Sequence, residues 1–303
     1  MEKTKKQKRK MTVYQRRECA KAYLMLAPML IGFVIVSIGA ILGAVILSFT
    51  DYSIAWPPKF VGLKNYIKLF SQPLLPKILL NSLYYVVLTT IPTVIVSFLF
   101  ALLLDCKVRG SAFFRAVIFW PVIASMTAVS LIWMFLLNGN FGIVNYLLGL
   151  IGIEGPQWLS RPALTLPVFA FIYLWRHLGY YMTIMLGGLQ GIPSELYESA
   201  LLDGAGYWKR TLHVTLPLVS PTIFYVLIMV VIYGFQVFDQ IMIISKDGGP
   251  AYSGLTLSFY IYQNAFANGQ MGYASAAGTI LFLIVMVFSL VQFKLQKKWV
   301  YYN

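Results

Sequence analysis

Six polar side chains interrupt two long apolar runs of this 303-residue sequence. Burying an ionisable or hydrogen-bonding group in such a run costs free energy unless another polar group or a watery cavity satisfies it. The six side chains are Arg176, His177, Tyr180, Gln236, Asp239 and Gln240. Such side chains can bind the hydroxyl groups of a sugar, so they are candidates for lining a translocation path. The structural alternative is that Arg176 pairs with Asp239 or with backbone carbonyls and only holds helices together. The sequence leaves both interpretations open.

A second polar segment, residues 191–217, lies between two long apolar runs. Three of the ten acidic residues of the sequence fall within it, Glu195, Glu198 and Asp203. Pro193 suits the first position of a helix, and the helix dipole favours negative charge in the turns that follow. We therefore predict a short helix at the start of this segment.

This first short helix has an apolar face, because Leu196 and Ala200 lie four residues apart. That face must rest on lipid, on this protein or on a partner. Gly204 marks the end of the helix, since glycine accepts a positive φ without steric cost. A second short helix is predicted over Tyr207–His213, and Pro217 is expected to close the segment.

No set of residues suited to catalysis is found in the sequence. It contains no glycine-rich loop ending in Lys-Ser or Lys-Thr, no paired histidines or cysteines at metal-ligand spacing, and no plausible Ser/His/Asp set. The two cysteines, Cys19 and Cys106, indicate neither a disulfide framework nor a metal site. We predict a protein that is not an enzyme, binds no metal or cofactor itself, and takes its energy from a gradient or from a partner.

Composition indicates an integral membrane protein. Hydrophobic residues make up 59% of the chain and charged residues 11%, against roughly 25% charged in a typical soluble domain. The net charge of +14 does not point to nucleic acid, because nine of the 24 basic residues lie in the first 21 positions. No basic patch is interleaved with aromatic residues as in a nucleic-acid-binding domain.

Six apolar runs approach or exceed the roughly 20 residues needed to cross a bilayer as a helix. They are residues 22–49, 78–104, 113–137, 164–190, 218–245 and 273–293. The first run has 28 residues, too long for the core of a signal peptide. We therefore predict an all-α polytopic membrane protein with six transmembrane helices. Its parts are a basic tail, a transmembrane domain and a second tail, at residues 1–21, 22–294 and 295–303.

The basic residues orient these helices. With the N-terminus inside, 17 lysines and arginines lie on the cytoplasmic side and six on the outside. Positive residues favour the cytoplasmic side of a membrane, so both termini and the polar segment are predicted to be cytoplasmic. The basic N-terminal tail is expected to touch anionic lipid.

One outer loop contains a further predicted element. Residues 255–266 have the apolar spacing of an amphipathic helix lying on the membrane, with Leu257, Tyr260, Ile261 and Phe266 on one face. The outer loops either cap the helix bundle or form a dock for an extracytoplasmic partner.

The polar segment resembles the cytoplasmic loop of bacterial ABC importer permeases, whose pattern is Glu-Ala-Ala, three residues, Gly, nine residues, Ile, any residue, Leu-Pro. Here it reads Glu198-Ser199-Ala200, Gly204 and Val214-Thr215-Leu216-Pro217, with the spacing intact. Only Ser199 and Val214 depart from the pattern, and both changes are conservative. Other stretches are similar to first-position permeases of maltose, lactose, multiple-sugar and glycerol-3-phosphate importers. They are residues 47–51, 60–66, 109–115, 248–250 and 272–276.

The resemblance implies a type I ABC importer permease fold in a bacterial inner or plasma membrane. It implies import of a carbohydrate, expected to be an oligosaccharide or related sugar, by alternating access. In this family the loop seats in an ATPase subunit, which would make the coupling residues Glu195, Glu198, Ser199, Ala200, Asp203 and Gly204. The implied partners are a second permease subunit forming a heterodimer, two copies of a cytoplasmic ATPase that uses ATP and Mg²⁺, and an extracytoplasmic solute-binding protein.

Two other classes of protein are alternatives to this one. A gradient-driven secondary transporter would use Arg176 and Asp239, but such proteins often show two similar halves, which are not visible here. A scaffold protein of the membrane would not need the loop spacing between residues 198 and 217. Transport without ATP would favour the first alternative, and transport unaffected by loss of the loop would favour the second.

Overall fold

The computed structural model describes residues 12–53, 57–105 and 110–301. The first eleven residues of the predicted basic tail lie outside the described residues, as do Cys106 and the last two residues of the predicted tail 295–303.

Helices make up most of the described chain, and the all-α prediction is confirmed. They are α1 (Val13–Gly32), α2 (Gly39–Ser48), α3 (Lys64–Phe70), α4 (Leu75–Asp105), α5 (Ser111–Ile123), α6 (Met126–Leu136), α7 (Ile143–Leu150), α8 (Pro162–Gln190), α9 (Ser194–Leu202), α10 (Tyr207–Arg210), α11 (Leu216–Phe235), α12 (Asp239–Ile244), α13 (Leu257–Tyr262) and α14 (Met271–Gln296). Wide π-helical turns at Phe33–Ile38 and Thr211–Thr215 join α1 to α2 and α10 to α11, and a third, Gln263–Ala267, extends α13.

Four stretches in the described part of the chain are long and apolar enough to cross a membrane: Arg17–Ser48, Leu75–Asp105, Tyr207–Ile244 and Met271–Gln296. The pair α5 and α6 makes a fifth if it counts as one bent span. Helix α8 covers the remaining predicted span and is 29 residues long, about 44 Å. It carries the polar residues Arg176 and His177, and it is not one of the four stretches named above as long and apolar enough to cross a membrane. The count of six spans stays a prediction.

The third predicted span, residues 113–137, is not one helix, so this part of the prediction is wrong. Helix α5 ends at Ile123 and α6 begins at Met126, with a bend of 98° between them. The physical cause is local: Ala124 and Ser125 adopt extended backbone angles, and Ser125 Oγ accepts a hydrogen bond from the Ala128 amide as the N-cap of α6.

The fifth predicted span, residues 218–245, is also broken. Helix α11 ends at Phe235, the chain is non-helical at residues 236–238, and α12 then begins. A break within a membrane frees carbonyl groups that must find new donors. Ser258 Oγ donates to the Gln236 carbonyl at 3.2 Å, and Thr256 Oγ1 donates to the Val237 carbonyl at 3.2 Å. The outer loop that carries these donors therefore stabilises the break.

The second short helix of the polar segment does not end where the sequence indicated. Helix α10, the turn Thr211–Thr215 and α11 follow one another without interruption, so Pro217 lies near the start of a long helix and closes nothing. Proline cannot donate to the carbonyl four residues before it, and a wider turn just before it accommodates that loss.

Helix α8 is the centre of the bundle, packed against α4, α5 and α11. Its approach to α5 is closest at Gly179, where a Cβ atom would collide with backbone atoms of Ile118 and Phe119. By contrast, the most apolar window of the first span, Arg17–Ser48, is 0% buried. This first span therefore presents its surface to lipid or to another protein.

Helix α13 does not lie on the membrane surface as its spacing indicated. Leu257, Phe259 and Tyr260 are buried in the outer core, with Leu257 and Phe259 each 1% exposed. The Leu257 amide donates to Ser82 Oγ of α4 at 2.8 Å. An amphipathic helix buries its apolar face against whatever apolar surface is available, and here that surface is the bundle itself.

The contact at Gly179 leads to a stability prediction. Gly179→Ala should lower the melting temperature of the purified protein, because inserting a methyl group between two packed backbones costs about 1–3 kcal/mol. Gly187→Ala on the same helix is the matched control, since nothing lies within 4 Å of a Cβ there. A thermal-unfolding assay in detergent should separate the two variants. Equal melting temperatures would contradict the close approach of α5 and α8.

Candidate functional site

A cavity of about 580 Å³ opens where the third span bends and the fifth span breaks. This volume lies within the roughly 300–1,000 Å³ of small-molecule sites. Its lining includes all six polar side chains proposed from the sequence: Arg176, His177, Tyr180, Gln236, Asp239 and Gln240. The other lining residues are Val122, Met126, Tyr173, Tyr181, Tyr233, Val237 and Phe238. The structure brings the six together; that they contact a substrate stays a prediction.

Arg176 pairs with the free carbonyl groups at the C-terminal end of helix α5. Its Nε and Nη2 donate to the Ala124 carbonyl at 3.1 and 2.9 Å, and Nη2 also reaches the Val122 carbonyl at 3.4 Å. The last carbonyls of a helix have no partners within it and carry a partial negative charge, so a guanidinium both pairs and neutralises them. Arg176 thus holds the 98° bend.

Arg176 and Asp239 do not form an ion pair in this structure. Within the described residues, the single pair of opposite charges closer than 4.0 Å is Lys21 with Glu18, at 3.5 Å on the exposed surface. Of the two structural alternatives drawn from the sequence, the carbonyl partners are the ones observed. The Asp239 side chain is exposed in the cavity at the first residue of α12.

His177 is fixed by both of its ring nitrogens. Nε2 lies 2.8 Å from Arg176 Nη1, which can only donate, so Nε2 accepts. Nδ1, 2.9 Å from the Tyr173 carbonyl, then carries the proton and donates. The imidazole also stacks on the Tyr173 ring with 4.1 Å between centroids. His177 is therefore a neutral side chain that positions Arg176 and an aromatic wall.

The aromatic wall of the cavity was only partly foreseen. Tyr173 and Tyr181 share a hydrogen bond of 3.1 Å between their hydroxyls, and Tyr180 packs edge-on against Tyr181 at 5.2 Å. Tyr173 lies four residues before His177 on the same helix face, and this spacing was a signal that could have revealed it. Tyr233, by contrast, comes from another helix, and the sequence carries no signal that joins it to this wall.

Gln240 is the most buried polar group at the cavity, with 0% exposure. Its Nε2 donates to the Tyr85 hydroxyl at 2.6 Å. Its Oε1 has no hydrogen-bond partner among the described residues. An unpaired buried acceptor is costly, and this oxygen is itself buried within the protein.

The other predicted residues belong to α9 and the turn after it. Glu195, Glu198, Ser199, Asp203 and Gly204 are exposed, and Ala200 is half-buried. The structure thus brings these six together on one short element, and their role in coupling stays a prediction.

Gly204 ends α9 with the hydrogen-bond pattern of a Schellman motif. Its φ is +74°, a conformation that L side chains rarely adopt. The Gly204 amide donates to the Leu201 carbonyl at 3.0 Å, and the Ala205 amide donates to the Ala200 carbonyl at 2.9 Å. These two bonds turn the chain sharply from α9 to α10.

An apolar surface stands out from this turn. Leu202 is 90% exposed, Trp208 69% and Leu201 54%. Beneath it, the Tyr197 hydroxyl lies 3.1 Å from Thr215 Oγ1, which ties α9 to the π-helical turn before α11. We call Leu201, Leu202 and Trp208 the apolar knob. It is an exposed apolar surface next to an element that the Tyr197–Thr215 contact ties to a long helix reaching the cavity.

Comparisons with known proteins point in one direction. A family model described as "Binding-protein-dependent transport system inner membrane component" matches residues 77–301. The chain is 36% identical to the probable ABC transporter permease protein YurN of Bacillus subtilis, over 91% of this chain and 95% of that protein. It is 32% identical to the arabinooligosaccharides transport system permease protein AraP of the same organism, over 91% and 88%. It is 30% identical to the sn-glycerol-3-phosphate transport system permease protein UgpA of Salmonella typhimurium, over 93% and 95%.

The fold has a match among solved structures. A chain of a bacterial alginate ABC transporter, solved with an alginate pentasaccharide-bound periplasmic protein, superposes with a TM-score of 0.82 at 23% identity, covering 93% of this chain and 96% of that chain. At this identity the similarity speaks for the fold, and it confirms the predicted permease fold.

Arg176 gives a prediction that does not depend on transport. Arg176→Met should lower the melting temperature of the purified protein, because each carbonyl left unpaired costs about 1–3 kcal/mol. Arg161→Met, at the exposed N-cap of the same helix, is the control. If the two variants have the same melting temperature, Arg176 does not stabilise the bend.

Gly204 gives a prediction on function. Proline cannot adopt φ +74° and has no amide for Leu201, so Gly204→Pro should leave the protein in the membrane but abolish uptake by cells. Gly206→Pro is the control, since Gly206 has a φ of −67° that suits proline. Ser199→Ala should also be nearly silent, because it removes only a bond to the Glu195 carbonyl on the exposed face. Normal uptake with Gly204→Pro would rule out a coupling role for this turn.

Proposed function

This chain belongs to the family of binding-protein-dependent transport system inner membrane components, and we propose that it is the permease subunit through which an ATP-driven importer carries a carbohydrate. It is a multi-pass inner-membrane protein. The observation that carries the proposal is one continuous connection. The apolar knob, on the predicted cytoplasmic side, is tied through Tyr197 and Thr215 to α11, and α11 ends at the cavity.

Energy enters, in this proposal, through the apolar knob and α9. Two copies of a cytoplasmic ATPase subunit bind ATP and Mg²⁺, and the chain itself contributes no residue to that chemistry. The knob seats in one ATPase subunit, while the carboxylates of Glu195, Glu198 and Asp203 lie around it in solvent. An exposed leucine and tryptophan on a short rigid element are suited to a buried contact with a partner, since such a patch is unfavourable in water.

Movement of α9 reaches the cavity by two routes. It follows α8 along the chain, and its Tyr197 contacts the base of α11 through Thr215. Both helices supply cavity residues. A displacement of the knob therefore changes the angle between α8 and α11, which is the change that alternating access requires. The breaks after Ile123 and Phe235 are the places where the outer half of the bundle can move separately.

The carbohydrate assignment rests on the cavity and on the relatives together. The names of AraP and UgpA specify arabinooligosaccharides and sn-glycerol-3-phosphate, and the solved neighbour is an alginate transporter. The cavity of this chain offers stacked aromatic rings next to amide, carboxylate and hydroxyl groups. Sugars present apolar C–H faces and polar edges, and such a cavity matches both. We propose an oligosaccharide or a related sugar as the substrate.

The proposed complex contains more than this chain. A second permease subunit would complete a heterodimer, and the first span, whose most apolar window is 0% buried, offers surface for it or for lipid. An extracytoplasmic solute-binding protein would deliver the sugar. The periplasmic protein in the alginate transporter structure is the support for that last partner.

Co-purification tests the docking role. The tagged chain, isolated from its native membrane, should retain an ATPase subunit and a second permease, both identified by mass spectrometry. Leu202→Asp should release the ATPase and keep the second permease, because a 90% exposed side chain can change without disturbing the fold. Ile153→Asp, at an exposed position of a predicted outer loop, is the control. Retention of the ATPase by Leu202→Asp would mean that the knob is not the docking surface.

A further inference from the structure

We infer that the cavity takes an uncharged, hydroxyl-bearing saccharide and rejects anionic sugars such as uronates and sugar phosphates. This inference rests on the proposed function and narrows its substrate class. The relatives do not decide the matter, since the name of UgpA specifies a phosphate ester and the name of AraP specifies arabinooligosaccharides. The charge selectivity follows instead from how the polar groups of this cavity are already paired.

The arginine of the cavity is not free to bind an anion. A carboxylate or phosphate is held by two parallel N–H donors on one edge of a guanidinium. The edge formed by Nε and Nη2 of Arg176 already donates to the Ala124 and Val122 carbonyls, and Nη1 contacts His177 Nε2 at 2.8 Å. Both edges that include Nη2 are therefore committed to the protein. An anion could therefore bind Arg176 through two parallel donors only by displacing one of these partners.

The positive charge of Arg176 is also offset where it lies. The carbonyls at the end of α5 carry roughly half a negative charge, and the guanidinium sits directly on them. Asp239 has no cation within 4.0 Å in the described part of the chain, so its carboxylate is the charge that faces the cavity without a close partner. An anionic ligand entering here meets repulsion from this carboxylate, and the Arg176 guanidinium has no free donor pair to compensate for it.

The charged group of the cavity that has no close partner is an acceptor. Asp239 is exposed at the cavity and presents two carboxylate oxygens to it. Acceptors of this kind require donors, and the hydroxyl groups of a sugar are donors. A hydroxyl bound to a carboxylate forms a charge-assisted hydrogen bond, which is stronger than a neutral one. Tyr173 and Tyr181 are buried, but the rings of Tyr180 and Tyr233 are accessible in the same space and are suited to the apolar face of a sugar ring.

The first experiment identifies the charge of the substrate. Cells with and without this chain are given a panel of neutral trisaccharides, oligogalacturonates and sugar phosphates, and uptake is measured by mass spectrometry. Loss of neutral-sugar uptake on deletion, restored by the intact gene, is the expected result. If the dependent substrate is a uronate or a phosphate, the charge inference is overturned while the proposed function stands. If no sugar depends on the chain, the proposed function itself fails.

The second experiment tests Asp239 within the intact complex. Asp239→Asn should reduce uptake of the neutral substrate by about tenfold, because the neutral amide accepts a weaker hydrogen bond than the carboxylate it replaces. Glu154→Gln is the matched control, because it removes one exposed carboxylate outside the cavity. Both variants must be present in the membrane in equal amounts. Normal uptake by Asp239→Asn would remove Asp239 from the recognition of the sugar.

The third experiment separates the cavity from the binding protein. The purified complex without its binding protein is placed in lipid nanodiscs, and saturation-transfer NMR compares the identified sugar with its 6-carboxylate derivative. The acid should give a signal several-fold weaker than the neutral sugar, and Asp239→Asn should narrow that difference. Equal signals from the two sugars with the unmodified chain would overturn the inference.

Discussion

The contact between Arg176 and the carbonyls that end α5 is the interaction on which the rest of the structure depends. A helix broken inside a membrane exposes carbonyl groups that neither lipid nor a neighbouring turn can satisfy. By donating to Ala124 and Val122, Arg176 makes a 98° bend tolerable in the third span. The bend moves α6 away from α5 and leaves room for the cavity. A side chain that looks like a substrate ligand in the sequence is thus first of all a structural support.

The same principle explains the second break, with different donors. At residues 236–238 the freed carbonyls are paired by Thr256 and Ser258, which come from the loop before α13 and from α13 itself. That loop is in turn held by α4, through Asn81 and Ser82. The loop before α13 and α13 itself are therefore part of the packed bundle and do more than cover it. They supply the polar groups that keep the fifth span open beside the cavity.

The sequence predicted the all-α class of fold and singled out six polar residues that line the cavity, because hydropathy and local polarity are properties of short segments. Residues 176 and 239 stood out because each is ionisable in an apolar run. The sequence could not predict the break at Ala124, since apolar composition continues through it and the stabilising donor, Arg176, lies far away in the chain. The break at Phe238 lies among polar residues, but nothing local shows that the helix ends there, because its donors Thr256 and Ser258 come from another segment. The burial of α13 was missed for a related reason: an amphipathic pattern shows that an apolar face exists but not what covers it. The prediction that Pro217 closes the polar segment was wrong because the wide π-helical turn before it accommodates the missing amide N–H, and the helix continues.

The unbroken path from Tyr207 to Phe235 has a mechanical consequence. Twenty-nine helical residues in series form a rod of about 44 Å, in which each turn is bonded to the next except at Pro217 and Pro221, which lack an amide N–H. A tilt of only about 10° at the end beside the apolar knob sweeps the far end through roughly 7 Å, which exceeds the width of a single sugar ring. Geometry alone therefore amplifies a small movement at one face of the membrane into a displacement large enough to open or shut a passage near the other.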